Sequence, residues 1–144
     1  MIAVAGHWEI GYSTPIIEAN YWNLVLRDFE VWDWWMHPIS GITHNEGRVK
    51  LRECKDFPGI LDETAMMTRV FVEPRNPQRP LDSVDLKDFE HPEDALYIFG
   101  SAHFDPTRFK ADHDLAVTIE TVQNKGVLWS FQCLPLILHD RLMK

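Results

Sequence analysis

The chain has 144 residues, 45% of them hydrophobic, and its six tryptophans and eight phenylalanines are enough to bury the core of one domain spanning residues 1–144. Its formal net charge of −8 argues against indiscriminate nucleic-acid binding, which requires Lys and Arg side chains that displace counterions from phosphates. Two cysteines outside any Cys-x-x-Cys pair cannot form a disulfide framework, and the longest apolar run is too short to cross a membrane, so we expect a cytoplasmic protein without a membrane segment.

The first elements along the chain predict a strand, a helix and a second strand. Residues 2–5 form a short apolar run typical of a buried strand. A hydroxyl N-cap followed by Pro15 predicts a helix over about residues 15–27. Four apolar residues of this helix recur at helical spacing and should pack on a sheet, namely Ile17, Tyr21, Leu24 and Val25. Residues 30–36 are rich in Val and Trp and end just before a proline, which indicates the second strand.

The remaining elements continue the alternation of strands and helices. Further strands are predicted near residues 49–52, 67–73, 95–99 and 115–119. Helical turns are predicted near residues 60–64, within 81–89 and from Asp105, and a final helix within 128–143. Five or six strands alternating with helices predict an α/β protein with a parallel sheet. Its ligand crevice should lie beyond the carboxyl ends of the strands.

Three segments carry a resemblance to a known family. The first is the loop Gly11-Tyr12-Ser13-Thr14-Pro15 between strand and helix, and the second is Phe99-Gly100-Ser101-Ala102 after an apolar strand. The third is Ile119-Glu120, a loop over residues 121–126, and then either Val127-Leu128-Trp129 or, shifted by three, Ser130-Phe131-Gln132. In order and length these elements resemble the SPOUT superfamily, the SpoU/TrmH-like, trefoil-knotted RNA methyltransferases, over nearly the whole chain.

The resemblance implies a three-layer α/β/α fold with a C-terminal trefoil knot and a homodimer formed by the first and last helices. It also implies an S-adenosylmethionine-dependent methyltransferase that acts on tRNA or rRNA, with the ribose 2′-oxygen as methyl acceptor. In this fold the cofactor is held largely by the backbone of three loops. The corresponding residues here are Val72, Glu73, Pro74, Gly100, Ser101, Ala102, Ile119, Thr121, Val127, Leu128 and Cys133.

The chain departs from the family pattern where catalysis would be expected. Glu18 stands nearest to the position of an arginine in the first motif, and Ala102 replaces a glutamate of the second. Candidate catalytic residues are therefore Glu18 together with His7 and Glu9, which should lie near the opening of the crevice. Two other functions stay open. One is a diverged domain that binds S-adenosylmethionine or a nucleoside without methylating RNA, and the other is a dimeric interaction module.

Other residues bear on binding. Seven of the fourteen basic residues fall within residues 48–79, which is where an RNA partner would be met. Trp8, beside His7 and Glu9, is a candidate ligand contact. Gly100 is explained either by close approach of a ligand to the backbone or by a simple turn. The seven histidines show no metal-binding spacing, so the sequence predicts no metal site.

Overall fold

Seven strands and three helices make up the described part of the chain. The computed structural model describes residues 1–8, 15–42, 47–73, 82–121, 128 and 130–144. The strands are β1 (Ile2–His7), β2 (Asp33–His37), β3 (Lys50–Glu53), β4 (Thr68–Val72), β5 (Val84–Asp85), β6 (Ala95–Phe99) and β7 (Leu115–Thr118). The helices are α1 (Pro15–Asp28), α2 (Phe57–Glu63) and α3 (Ser130–Met143), with 3-10 turns at Leu86–Asp88 and Pro106–Phe109.

All the strands belong to one parallel sheet in the order β3-β2-β1-β6-β4-β7-β5. The expectation of five or six strands was one short, because β5 has only two residues and leaves no periodic signal. The sheet centre is β6, in which all five residues are buried. A parallel strand covered on both faces is expected to be a continuous apolar run, and this one is.

Helices cover both faces of the sheet, which confirms the predicted three-layer α/β/α arrangement. On one face, α1 and α3 pack against Val4, Trp34, Val70 and Tyr97 of the strands. On the other face, α2 packs against a second cluster formed by residues of β1, β4, β6 and β7. No described helix is long and apolar enough to span a membrane. The C-terminal knot stays a prediction.

The face of α1 that packs on the sheet differs from the predicted one. Of the four residues predicted to pack on the sheet, Val25 is partly buried against the core, but Ile17, Tyr21 and Leu24 are 46%, 48% and 50% exposed, respectively. The buried stripe is instead formed by Ala19, Trp22 and Leu26. The indole of Trp22 turns toward the sheet because Gly6 leaves room for it: a Cβ at Gly6 would lie 2.8 Å from the indole. An apolar stripe of α1 therefore faces away from the core.

The prediction that Trp8 contacts a ligand is wrong. Its side chain is completely buried, and its ring meets the Trp34 ring edge-on with centroids 6.0 Å apart. The indole Nε1 donates a hydrogen bond of 2.7 Å to the Glu53 carboxylate on β3. A buried indole needs such an acceptor. Trp8 therefore anchors the chain after β1 to the sheet edge.

Candidate ligand pocket

One pocket lies at the carboxyl ends of the central strands. It has a volume of about 370 Å³ and is bordered by the last residues of β1, β4 and β6 and by the residues that follow β4, β6 and β7. Side chains of α1 and of the start of α3 close it on one side. Ligands of open parallel sheets bind beyond the carboxyl ends of the strands, so the pocket lies where the fold class predicts a ligand.

The pocket brings together every described residue that was predicted to bind the cofactor or to act in catalysis, whereas Trp8 lies outside it. Eleven of these residues line it: His7, Glu18, Val72, Glu73, Gly100, Ser101, Ala102, Ile119, Thr121, Leu128 and Cys133. The other three, Glu9, Pro74 and Val127, lie outside the described residues. Residues from six separate segments thus converge on one cavity. Their binding and catalytic roles stay predictions.

Six further residues line the pocket that were not predicted as site residues: Trp22, Phe99, Phe104, Asp105, Ser130 and Phe131. Trp22 lies four residues after Glu18 on the same face of α1, so helical periodicity could have identified it. Ser130 and Phe131 belong to the shifted alternative for the third motif. Phe104 and Asp105 follow the glycine loop, and only the path of that loop brings them to the cavity.

The loop after β6 satisfies much of its own backbone. The Ser101 amide donates to the Phe104 carbonyl at 2.9 Å, and the Ser130 hydroxyl donates to the Gly100 carbonyl. A Cβ at Gly100 would lie 2.8 Å from Cδ of Pro106 and 2.9 Å from the Phe104 carbonyl oxygen. The tight turn thus explains the glycine without a ligand, which is the second of the two explanations given above.

Two histidines lie side by side where β1 and β2 end, and the first of them, His7, borders the pocket. His7 Nδ1 lies 2.8 Å from the Ser101 hydroxyl, and the His7 ring stacks on Phe104 with centroids 5.2 Å apart. The His37 ring meets the His7 ring edge-on at 4.9 Å. Burial, with a smaller contribution from the His7 charge, lowers the pKa of His37 to about 4. At neutral pH the His37 side chain is therefore uncharged where it packs against the His7 ring.

Three carboxyl groups border the same cavity, from Glu18, Glu73 and Asp105. Burial, and then the charge of Asp105, raises the pKa of Glu73 to about 8. Burial, and then the charge of Glu73, raises the pKa of the Cys133 thiol to about 11. At neutral pH both Glu73 and Cys133 are therefore mostly protonated and can donate hydrogen bonds.

The basic segment 48–79 lies partly along the β3 edge of the sheet, away from the pocket. Arg48 lies over the Trp32 ring, and Arg52 lies over the Trp35 ring and pairs with Asp33. Arg75 and Arg79 lie outside the described residues. Contact with RNA through this segment stays a prediction. The described residues also hold no group of three or more His, Cys, Asp or Glu side chains arranged to bind a metal ion.

Comparison with known proteins gives matches in structure. No protein-family model and no curated protein sequence matches the chain. A structure concerned with 2′-OH methylation of C/U34 on tRNA superposes with a TM-score of 0.66 at 15% identity, covering 99% of this chain and 94% of the other. A candidate RNA methyltransferase from Bacillus anthracis superposes with a TM-score of 0.67 at 10% identity, covering 99% of this chain and 93% of the other.

A third structure, TrmJ from Z. mobilis ZM4, gives a TM-score of 0.65 at 16% identity, with 97% of this chain and 66% of the other covered. Identities this low establish the fold and leave the activity to be argued from the site. The chain therefore has the fold of these RNA methyltransferase structures, as its resemblance to the SPOUT superfamily implies.

Proposed function

We propose that this chain is an S-adenosylmethionine-dependent RNA methyltransferase that transfers a methyl group to a ribose 2′-oxygen of tRNA or rRNA. One observation carries the proposal: ten described residues selected by resemblance, together with His7, all line a single cavity at the carboxyl edge of a sheet with the methyltransferase fold.

The pocket fits the cofactor in size and chemistry. Its volume of about 370 Å³ falls within the range of about 300–1,000 Å³ usual for small-molecule sites. Aromatic and aliphatic side chains suited to an adenine ring line it, namely Trp22, Phe99, Ile119 and Phe131. When bound, S-adenosylmethionine supplies an electrophilic methyl group on a sulfonium. The carboxyl groups of the pocket suit that positive charge.

His7 is our candidate for the base that takes the hydroxyl proton. Transfer forms an oxygen–carbon bond and breaks the carbon–sulfur bond, so the ribose hydroxyl must lose a proton. His7 borders the pocket, and the 2.8 Å contact between Nδ1 and the Ser101 hydroxyl fixes the direction of its ring. A positioned base of this kind accelerates proton transfer by about 10²–10⁴-fold. Glu18 of α1, which also lines the pocket, is the alternative base.

Labelled methyl transfer tests the assignment. With tritiated S-adenosylmethionine and bulk tRNA or rRNA, we expect incorporation by the unaltered protein and a loss of about 100-fold or more in His7→Gln. His103→Gln is the control, since His103 is an exposed histidine in the loop after β6 and does not line the pocket. Calorimetry should show unchanged cofactor binding in both variants. If the cofactor binds but label never enters RNA, the methyltransferase assignment is wrong.

That last outcome would favour a domain that binds S-adenosylmethionine or a nucleoside without methylating RNA. The feature that favours it is the chemistry at the motif positions: Glu18 and Ala102 both line the pocket where the family pattern has an arginine and a glutamate. If no cofactor binding is seen at millimolar concentration, a dimeric interaction module becomes the better description.

A homodimer through α1 and α3 is part of the proposal. The exposed apolar stripe of α1 passes beside α3, and the Tyr21 ring stacks on the Phe131 ring at 5.2 Å. A second copy would cover this stripe and lie next to the pocket. Sedimentation should report a dimer that Leu24→Glu converts to monomer. Met66→Glu is the control, because Met66 is 96% exposed in the turn between α2 and β4. A dimer unaffected by Leu24→Glu would place the interface elsewhere.

The β3 edge is our candidate surface for RNA. Arg48, Lys50 and Lys55 are exposed there, and neutralising phosphates makes binding weaken steeply with salt. Charge reversal at Lys50 and Lys55 should lower tRNA affinity and flatten its salt dependence, while Lys87→Glu, on the far side of the sheet, should change neither. Equal losses from both changes would indicate a general effect of net charge.

A further inference from the structure

Glu73 has a feature that the packing of the protein does not explain. Its backbone amide donates to the Val117 carbonyl at 3.0 Å, so the backbone is already paired within the sheet. Its carboxyl group borders the pocket, yet Oε1 is sealed from solvent and accepts no hydrogen bond from any described residue. A buried oxygen left without a partner is costly, by about 1–3 kcal/mol. The pocket is therefore bordered by a carboxyl group with one buried oxygen that no described residue satisfies.

The surroundings of Glu73 make it sensitive to a positive charge. Asp105 and Cys133 lie close enough to influence it, and Glu18 and His7 border the same cavity. Three of these five groups are carboxyls. A cationic ligand group would relieve the crowding of negative charge, and a second anion, such as a phosphate, would increase it.

We propose that Glu73 selects the ligand of this pocket by pairing with a positively charged group, so that an adenosyl sulfonium is preferred to the neutral thioether left after methyl transfer. The proposal rests on the proposed function for the identity of the adenosyl group. It adds that the side chain at this position, in a loop assigned to backbone contacts, determines the charge of the ligand accepted.

Binding of a cationic ligand next to Glu73 should release a proton, and this release can be measured. In the empty pocket Glu73 is protonated at neutral pH; pairing with a cation favours its ionised form, and the proton passes to the buffer. Affinity for S-adenosylmethionine should then fall by about tenfold for each pH unit below 8, down to the pKa of Glu73 in the complex. The neutral sulfur of the thioether can only accept a hydrogen bond from the protonated carboxyl. Binding of the thioether should therefore release no proton and should weaken above pH 8.

Calorimetric titration of the full chain with S-adenosylmethionine and S-adenosylhomocysteine tests this. At pH 7, titrations in two buffers of different ionisation enthalpy should show release of about one proton with the sulfonium and none with the thioether. Glu73→Gln should weaken sulfonium binding by about tenfold or more at pH 8, abolish proton release, and leave thioether affinity within about threefold. Glu90→Gln, an exposed glutamate outside the pocket, should behave as the unaltered protein.

The possible results separate this inference from the proposed function. Equal affinity for the two ligands with no proton release, accompanied by methyl transfer to RNA, would overturn the role of Glu73 and leave the methyltransferase in place. Charge preference and proton release without methyl transfer would support Glu73 and overturn the methyltransferase. Failure of both ligands to bind, or a Glu73→Gln variant that keeps the sulfonium preference, would overturn the inference.

Discussion

Replacing Glu73 by glutamine should make the folded protein more stable at alkaline pH. Burial raises the pKa of this carboxyl from 4.5 to about 8. Below pH 4.5 it is protonated in both the folded and the unfolded chain. Between pH 4.5 and 8 the unfolded chain releases a proton that the folded chain retains, so stability falls as pH rises. At about 1.4 kcal/mol per unit, the loss reaches at most about 5 kcal/mol at pH 8.

Urea unfolding of both proteins at pH 4.5, 6 and 8.5 measures this effect. We expect the free energy of unfolding of Glu73→Gln, relative to that of the unaltered protein, to rise steadily with pH. Nearly the whole rise should be complete at pH 8.5. Titrating groups that do not interact with Glu73, His37 among them, are common to the two proteins and cancel in the difference, whereas Asp105 and Cys133 interact with Glu73 and contribute to it. Glu90→Gln should show a difference independent of pH. A flat difference for Glu73→Gln would refute the assignment of a buried, protonated carboxyl.

Three further predictions concern stability. Gly100→Ala forces a Cβ within 2.9 Å of the Phe104 carbonyl oxygen and should lower the free energy of unfolding by about 1–3 kcal/mol; an unchanged urea midpoint would contradict the turn geometry. Tyr97→Phe removes a buried hydroxyl that accepts a hydrogen bond from Arg141 at 3.0 Å, and it should lower the free energy of unfolding by about 1–3 kcal/mol, again measured with urea. An unchanged free energy would mean that this hydrogen bond does not contribute to stability. Burial lowers the pKa of His37 from 6.5 to about 4, so stability present above pH 6.5 should be lost as pH falls toward 4, by at most about 3 kcal/mol. His37→Gln should remove this dependence of the unfolding free energy on pH. If the dependence persists in the variant, other groups cause it.

The sequence was most informative where one signal dominated. The limits of β6 were predicted correctly, because five consecutive buried apolar residues end at a glycine, and the structure places all five in the core. The start of α1 at Pro15 was predicted correctly from the proline, whereas the predicted hydroxyl N-cap lies outside the described residues. β5 could not be predicted, because two residues that pair only with the edge of β7 leave no pattern to detect.

The errors arose where the sequence offered two equivalent interpretations. α1 carries one apolar stripe through Tyr21 and another through Trp22, and helical spacing alone does not say which one meets the sheet. The choice depends on Gly6, four residues into β1, which makes room for the indole. Trp8 was likewise misassigned, because its partner Glu53 is 45 residues away in the chain. Both errors concern contacts between distant segments, which no local pattern records.

Two of the features that oppose stability in the described part of the chain concern this pocket. One carboxyl oxygen of Glu73 is buried and accepts no hydrogen bond from any described residue, and α1 keeps Tyr21 exposed while its neighbour Trp22 borders the cavity. Native sequences break folding rules mainly at functional sites and offset the loss elsewhere. The strands beneath the pocket follow those rules closely, since β6 and the ends of β4 and β7 are fully buried. The contrast between these strands and the two features supports the proposals that a cationic ligand pairs with Glu73 and that a second copy of the chain covers the exposed residues of α1.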